Sequence, residues 1–134
     1  MYTMKECCQI TGLNYDTLKF YCNEGLIPNV KRQQNNNYRV FDDNDIQWIK
    51  GLMCLKKCNF SIKEMKHFLD LCLEGKTSLN RRKEMLNKHK QQVLDQIEEL
   101  NSAIDYIDKK NALYDKFLSG ELEYFSYIIN EDKK

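Results

Sequence analysis

The stretch TGLNYDTLKFYCNEGLIP, residues 11–28, predicts a helix-turn-helix. Gly12 can take a positive φ in a tight turn, and Asn14 can cap the helix that follows. Gly25 and Pro28 end that helix, because glycine suits the residue after a helix and proline cannot continue one. Two short helices joined by such a turn form this motif.

Capping residues mark the other helix starts. Thr3 stands three residues before a glutamate, a capping box that predicts a helix over about residues 4–11. Asp42, with more acid in the next turn, begins a third helix that breaks near Asn59 and Phe60. Ser61 opens a second capping box and a fourth helix through about Leu73.

Residues 29–41, NVKRQQNNNYRVF, join the second helix to the third and carry three positive charges and no negative one. Their valines and final phenylalanine favour short strands. Asn36 and Asn37 can turn a hairpin, because asparagine tolerates the left-handed region. A basic hairpin directly after a helix-turn-helix is a wing, here predicted with two strands.

From Leu79 onward, apolar residues recur at heptad spacing, most cleanly from Val93 to Ile107, and neither glycine nor proline interrupts them before residue 120. About forty residues make a helix of about 60 Å. Its stripe needs a partner, of which the simplest is a second copy, parallel or antiparallel. The predicted dimer interface comprises Leu86, Val93, Ile97, Leu100, Ile104, Ile107, Asn111 and Tyr114.

The amino-acid composition limits which classes of protein the chain can belong to. The chain has 134 residues, 31% of them charged, and a net charge of +1, which excludes a protein basic all over but not a local basic patch. No apolar run could span a bilayer, and the start MYTMKECC is unlike a signal peptide. We therefore expect a cytoplasmic protein without a membrane partner.

Neither a catalytic nor a metal site is predicted. No paired-carboxylate, Ser-His or glycine-rich phosphate pattern occurs, so we expect no enzyme and no cofactor. The six cysteines form no Cys-x-x-Cys pair and are expected to be thiols; Cys7, Cys8 and Cys72 are expected to be buried. His67 and His89 are assigned to the surface or to an interface.

The segments YTMKECCQITGLNYDTLKFYCNEGLI, NNNYRVFDDNDIQWI and CLKKCNFSIKEM together resemble the N-terminal domain of the MerR family of transcription regulators. The resemblance covers residues 2–73 and keeps the family's motifs in order and spacing. It implies a mostly α-helical homodimer with a winged helix-turn-helix over residues 1–75, an antiparallel coiled-coil helix over residues 76–118 and a tail over residues 119–134.

The resemblance also implies a mechanism. Such dimers bind a palindromic promoter with an over-long spacer, and the activated form bends and untwists the DNA for RNA polymerase, a partner reached only through DNA shape. The predicted DNA contacts are Thr3, Tyr15, Asp16, Thr17, Lys19, Tyr21, Lys31, Arg32, Asn36, Asn37, Tyr38 and Arg39. The wing residues would contact phosphates and the early residues of the second helix would face base edges, with Leu18 and Phe20 in the core.

Departures from the family pattern leave some roles open. Asp16 stands where the family usually has arginine; it could read a base, pair internally or mark a changed operator. Asn37 replaces a usual glycine and Cys22 a usual acid. Tyr21 can pack its ring while its hydroxyl reaches a phosphate. No cysteine follows Cys72, which disfavours the family's route to metal sensing.

The segments RRKEMLNKHKQQVLDQIEEL and CLKKCNFSI look most like the aldehyde- and thiol-responsive branch, which implies a sensing role for Cys54. Lys50 and Lys57 lie one turn away and would stabilise a thiolate. Cys58 is a second candidate, although its position favours the core. An inert thiol, a non-covalent small-molecule effector and a coiled-coil protein without DNA binding remain the alternatives.

Overall fold

The structure is a computed structural model that describes residues 1–129. Its helices are α1 (Met4–Thr11), α2 (Tyr15–Asn23), α3 (Asp43–Lys57), α4 (Ile62–Glu74) and α5 (Leu79–Ser119), and a 3-10 turn, Lys76–Ser78, precedes α5. Its strands are β1 (Tyr2–Thr3), β2 (Lys31–Arg32) and β3 (Arg39–Phe41). The chain divides into two compact units, residues 1–93 and the part that begins at Leu94.

The predicted helix starts are confirmed, and local hydrogen bonds explain them. The side chains of Thr3, Asp42 and Ser61 each accept from the backbone amide three residues later. The side chain at that third position accepts from the cap's own amide in return, which completes three capping boxes. Asn14 caps α2 by accepting from the Thr17 amide at 2.8 Å.

The wing belongs to a three-stranded sheet, which corrects the predicted pair of strands. β3 lies in the centre, antiparallel to β2 on one side and to β1 on the other. β1 has only two residues, too few to give a periodic signal. The Tyr2 hydroxyl also donates to Asp43 Oδ1 at 2.6 Å, which fixes the start of the chain to α3.

Asparagines shape the hairpin of the wing as predicted. Asn37 has a φ of 59°, in the left-handed region. Its amide donates to the Gln33 carbonyl at 2.9 Å, and the Tyr38 amide donates to the Asn36 side chain at 3.0 Å. The turn is therefore held by its own backbone and by one side-chain amide.

The core of the first unit gathers side chains from α1 to α4 and from β3. Leu18 is fully buried as predicted, whereas Phe20, also predicted for the core, is 43% exposed. On α3, Leu55 continues the buried face that Ile46, Ile49 and Leu52 begin. Of the cysteines expected to be buried, Cys7 is, while Cys8 and Cys72 are only half-buried.

His89 anchors the beginning of α5; of the two positions predicted for it, surface or interface, the structure excludes the surface. The side chain is 2% exposed and stacks on Phe60 with ring centroids 3.9 Å apart. Its Nδ1 lies 2.9 Å from the Cys58 carbonyl oxygen, and its Nε2 lies 2.6 Å from Glu64 Oε2. The corner between α3 and α4 is thereby tied to α5.

In the second unit, the tail folds back on its own helix after Gly120. Phe117 stacks on Tyr124 at 5.3 Å and meets Phe125 edge-on at 5.2 Å. The apolar side chains of the tail predict that it packs, and these contacts confirm this for Tyr124 and Phe125, whereas Tyr127 and Ile128 stay exposed. The sequence also predicts that NEDKK, residues 130–134, frays, and these residues lie outside the described part of the chain.

Replacing His89 with alanine should destabilise the folded chain, because the replacement removes two polar contacts and the stacking on Phe60 from a buried site. The expected loss is about 3 kcal/mol in the free energy of unfolding. The matched control is His67→Ala, at the exposed histidine on α4, which should change it by less than about 0.5 kcal/mol. Urea unfolding at one fixed chain concentration measures both; equal effects would contradict the anchoring role.

Candidate nucleic-acid interface

A groove of about 600 Å³ separates the wing from the first turns of α1 and α2. Six residues predicted to bind DNA line it: Thr3, Tyr15, Arg32, Asn37, Tyr38 and Arg39. Tyr15 and Tyr38 are both well exposed, so their hydroxyls are free to meet a ligand. The wing and α2 thus form one continuous surface around the groove.

Internal hydrogen bonds hold the basic side chains of the wing in place. Arg39 donates to Asn23 Oδ1 at 2.6 Å, and Arg32 donates to the Asn37 carbonyl at 2.9 Å. Lys31 pairs with Asp42 at 3.2 Å. A guanidinium that donates one or two of its five N–H groups internally keeps the others for an anion. These contacts orient the cations without neutralising the arginines.

Charges near the wing also act on two titratable groups. The Asp45 amide, and after it Lys31, holds the pKa of Asp42 below its usual value, so this carboxylate stays ionised beside the lysine. Burial raises the pKa of the Cys22 thiol, and the nearby Arg39 and Arg32 partly oppose that rise. The Lys31–Asp42 pair is exposed and therefore weak, and a stronger anion can displace it.

The solvent face of α2 carries the other predicted contacts. Asp16 and Lys19 are exposed, and Thr17 is half-buried. Within residues 1–129 the Asp16 carboxylate has no ion pair or hydrogen bond, so the structure gives no support to its internal pairing. Asp16 is therefore available to a ligand that approaches α2.

A second cleft, of about 480 Å³, lies on the other side of α2, where α3 ends and α4 begins. Tyr21 lines this cleft but is only 2% exposed, so its ring packs in the core, as the sequence allowed, and burial raises the pKa of its hydroxyl. The hydroxyl is itself buried and has no hydrogen-bond partner among the described residues. An unpaired buried hydroxyl costs about 1–3 kcal/mol.

The second cleft contains residues that sequence reasoning missed. Phe20, Lys56 and Ser61 line it together with Tyr21 and Asp16, which were predicted as DNA contacts. Ser61 caps α4, and the amides in the first turn of a helix favour an anion. No local pattern could reveal the cleft, because α2 and α4 are about forty positions apart in the chain.

The cysteine thiols differ in their exposure to solvent. Cys54 is exposed, whereas Cys58 is half-buried. Burial raises the pKa of Cys7 to about 12 and also raises the pKa of Cys8 and Cys72. No group of three or more metal-ligating side chains is found within residues 1–129, and no helix of that stretch is long and apolar enough to cross a membrane.

Comparison with known proteins gives consistent matches. The model of the MerR HTH family regulatory protein matches residues 2–72. An uncharacterized HTH-type transcriptional regulator of Haemophilus influenzae is 36% identical over 115 residues, which cover 86% of this chain and 84% of the relative. The HTH-type transcriptional regulator AdhR of Bacillus subtilis is 33% identical over 84 residues, which cover 63% of this chain and 59% of that protein.

Two solved structures share the fold. One is HiNmlR, a MerR family regulator lacking the sensor domain, bound to promoter DNA, with 35% identity and a TM-score of 0.74; the match covers 88% of this chain and 93% of that one. The other is a MerR family transcriptional regulator from Listeria monocytogenes, with 29% identity and a TM-score of 0.80 over 90% and 91% of the two chains. The mostly helical fold predicted from the sequence is confirmed.

Limited alkylation of the native protein should label Cys54 first and Cys7 last. Cys54 is exposed, while burial both blocks Cys7 and raises its pKa to about 12, so little thiolate forms there. Iodoacetamide at pH 8, quenched at intervals and read by peptide mass, gives the order. The same reaction in denaturant is the control and should label all six alike. Equal native rates for Cys54 and Cys58 would contradict the exposure argument.

Proposed function

Because the chain belongs to the MerR helix-turn-helix family of regulatory proteins, and is thus a DNA-binding transcription regulator and not an enzyme, we propose that it binds a palindromic promoter site as a homodimer and switches transcription by distorting that site. The main support for DNA binding is the groove between the wing and α2. The promoter complex of HiNmlR, 35% identical, supports the choice of promoter DNA as the ligand. Membership in this family leaves the alternative of a coiled-coil protein without DNA binding unsupported.

In this proposal α2 and the wing have different tasks. Tyr15, Asp16 and Thr17 face base edges in the major groove, and Lys19 reaches the DNA backbone. In the wing, Lys31, Arg32 and Arg39 contact phosphates and Tyr38 donates its hydroxyl. The internal bonds of Arg32 and Arg39 fix where their free N–H groups point, which reduces the entropy lost on binding. Phosphate contacts supply affinity, and the contacts of α2 supply sequence preference.

The second cleft offers a further phosphate position. Lys56 and the first turn of α4 add positive potential there, and the Asp16 carboxylate, which lines the same cleft, opposes it. Because the Tyr21 hydroxyl is buried, a phosphate would be held by Lys56 and the α4 amides and not by that hydroxyl. Together with the wing groove, this cleft would grip the DNA backbone on both sides of α2, and two grips are what bending a duplex requires.

The proposed dimer rests on the apolar heptad stripe of α5, which we call the seam. Ile97, Ile104 and Ile107 are all about half exposed, and Leu100 is 65% exposed. A row of this kind is normally covered, because burying each such side chain is worth about 1.5–3 kcal/mol. A second copy supplies an identical row, and two linked recognition helices match a palindrome.

The signal is proposed to enter at Cys54, as in the aldehyde- and thiol-responsive branch. An electrophile would form a carbon–sulfur bond with the thiolate, whose proton has gone to solvent. Cys54 is one turn before Cys58, whose amide donates to the Cys54 carbonyl at 3.1 Å. The Cys58 carbonyl in turn contacts His89 of α5. A changed end of α3 would thus be felt where α5 is anchored.

Arg39→Ala should weaken binding to specific and unrelated DNA about equally and should lower the slope of log affinity against log salt by about one, since a phosphate contact carries no base information. The matched control is Arg81→Ala, an exposed arginine paired with Glu74 on the start of α5, away from the groove. Titrations of labelled promoter DNA at several salt concentrations measure both variants. A loss confined to one operator would exclude a pure phosphate contact.

Cys54→Ser should leave DNA affinity unchanged but abolish the transcriptional response to an aldehyde. Serine keeps the size of the side chain but cannot form the adduct at neutral pH. A reporter gene driven by the bound promoter measures the response, and Cys72→Ser is the matched thiol control. If Cys54→Ser still responds while binding DNA, the effector binds without a covalent bond and the sensing role of Cys54 is wrong.

A further inference from the structure

A side-chain hydrogen bond joins the wing to α2. Arg39, the first residue of β3, donates through Nη2 to Asn23 Oδ1 at 2.6 Å, across 16 positions of the chain. Asn23 is the last residue of α2. Because a guanidinium has donors and no acceptor, the amide must present its oxygen to Arg39. The bond therefore has one direction, from the wing to the helix.

The strand register explains why Arg39 needs an acceptor outside the sheet. Arg39 lies directly opposite Arg32 in the antiparallel pair of β2 and β3. Like charges at opposite positions repel each other and destabilise a strand pair. The two guanidinium groups go to different acceptors, Arg32 to the Asn37 carbonyl in the turn and Arg39 to Asn23 on α2. Separate acceptors thus let the wing carry both charges.

The acceptor of Arg39 is neutral, although an acid is next to it in the chain. Glu24 follows Asn23 directly, but its carboxylate pairs with Lys66 of α4 at 2.6 Å. An amide oxygen orients a guanidinium without neutralising it, whereas a carboxylate in the same place would form an ion pair. Arg39 therefore keeps its positive charge at the end of α2, where the helix dipole also favours a cation.

The bond between Asn23 and Arg39 has little to add to folding. Asn23 is exposed and Arg39 is half-buried. A hydrogen bond near the surface contributes little to stability, because water can replace either partner. Its effect is expected when Arg39 meets an anion, since a long side chain that is already ordered loses less entropy on binding.

We propose that Asn23 is a positioning residue for DNA binding: its amide oxygen holds Arg39 at a fixed place beside α2, and the neutrality of the amide leaves the charge of Arg39 for a phosphate. The inference rests on the proposed function, in which Arg39 contacts a phosphate. Because Asn23 belongs to α2, the phosphate contact of the wing is set in register with the base contacts of that helix.

Two substitutions of Asn23 separate orientation from charge. Asn23→Ala removes the acceptor and leaves Arg39 charged, so DNA affinity should fall about fivefold while the slope of log affinity against log salt stays unchanged. Asn23→Asp keeps an acceptor but pairs with Arg39, so that slope should fall by about one. Asn29→Asp is the matched control, because it adds the same charge at an exposed asparagine before β2 and should change the slope much less.

Titration of a labelled duplex of mixed sequence over a salt series measures these variants, because a phosphate contact carries no base information. Circular dichroism checks that each variant is folded. An unchanged slope in Asn23→Asp, an effect of Asn29→Asp as large as that of Asn23→Asp, or a lower slope in Asn23→Ala would overturn the proposal.

A double-mutant cycle tests whether Asn23 acts through Arg39. In an Arg39→Ala background, Asn23→Ala should have no further effect on affinity. An equal loss in both backgrounds would mean that Asn23 contacts DNA itself, and the positioning role would be wrong. If the wild-type protein shows no salt-dependent DNA binding, the proposed function fails and this inference with it. If Arg39→Ala lowers the slope while both Asn23 variants match the wild type, only this inference fails.

Discussion

The contact on which the first unit depends is the burial of His89 between two hydrogen-bond acceptors, the Cys58 carbonyl and the Glu64 carboxylate. Cys58 ends α3, and Glu64 closes the cap of α4. The Ser61 amide first, and His89 after it, keep the pKa of Glu64 below its usual value, so the carboxylate stays ionised where the imidazole needs it. One ring from α5 thereby fixes the corner between two helices, and the second cleft borders that same corner through Phe60. A change in the packing at the end of α3 can therefore reach α5 through this contact.

Charge in this protein is arranged locally, which explains how a chain with a net charge of +1 can serve as a DNA-binding regulator. Arg32 and Arg39 of the wing face each other across the strand pair and are oriented by neutral acceptors, the Asn37 carbonyl and Asn23, so their charge is not cancelled. Three acids near the wing and the α3–α4 corner, Asp42, Asp45 and Glu64, lie at helix starts and satisfy backbone amides there. Acids used as caps add little repulsion toward an approaching phosphate, since each is bound to N–H groups. Asp16, in the first turn of α2, has no such partner within residues 1–129 and lines the second cleft.

Much of this fold could be predicted because its helices are defined by local chemistry. Each capping side chain lies three residues before the amide that it satisfies. The sequence around Thr3, Asp42 and Ser61 therefore predicts where each helix begins. What could not be predicted depends on contacts across long separations. A two-residue β1 has no periodicity, His89 meets a carbonyl 31 positions away, and the second cleft forms only when α2 meets α4. Phe20 was assigned to the core by its type, yet its neighbours Leu18 and Tyr21 fill the inward face.

Two features of the described chain lack a partner within it: the buried hydroxyl of Tyr21 and the exposed apolar seam on α5. An unpaired Tyr21 hydroxyl and an exposed seam on α5 together lower the free energy of unfolding by several kcal/mol. Under the proposed function, a second copy would cover the seam on α5. These two costs are coupled through α5, because the turns that hold His89 in the first unit also carry Leu86 in the seam. Dimer contact and DNA contact would then each favour the same arrangement of the α3–α4 corner. A modification at Cys54, next to that corner, has to disturb only this shared arrangement to be felt at the DNA.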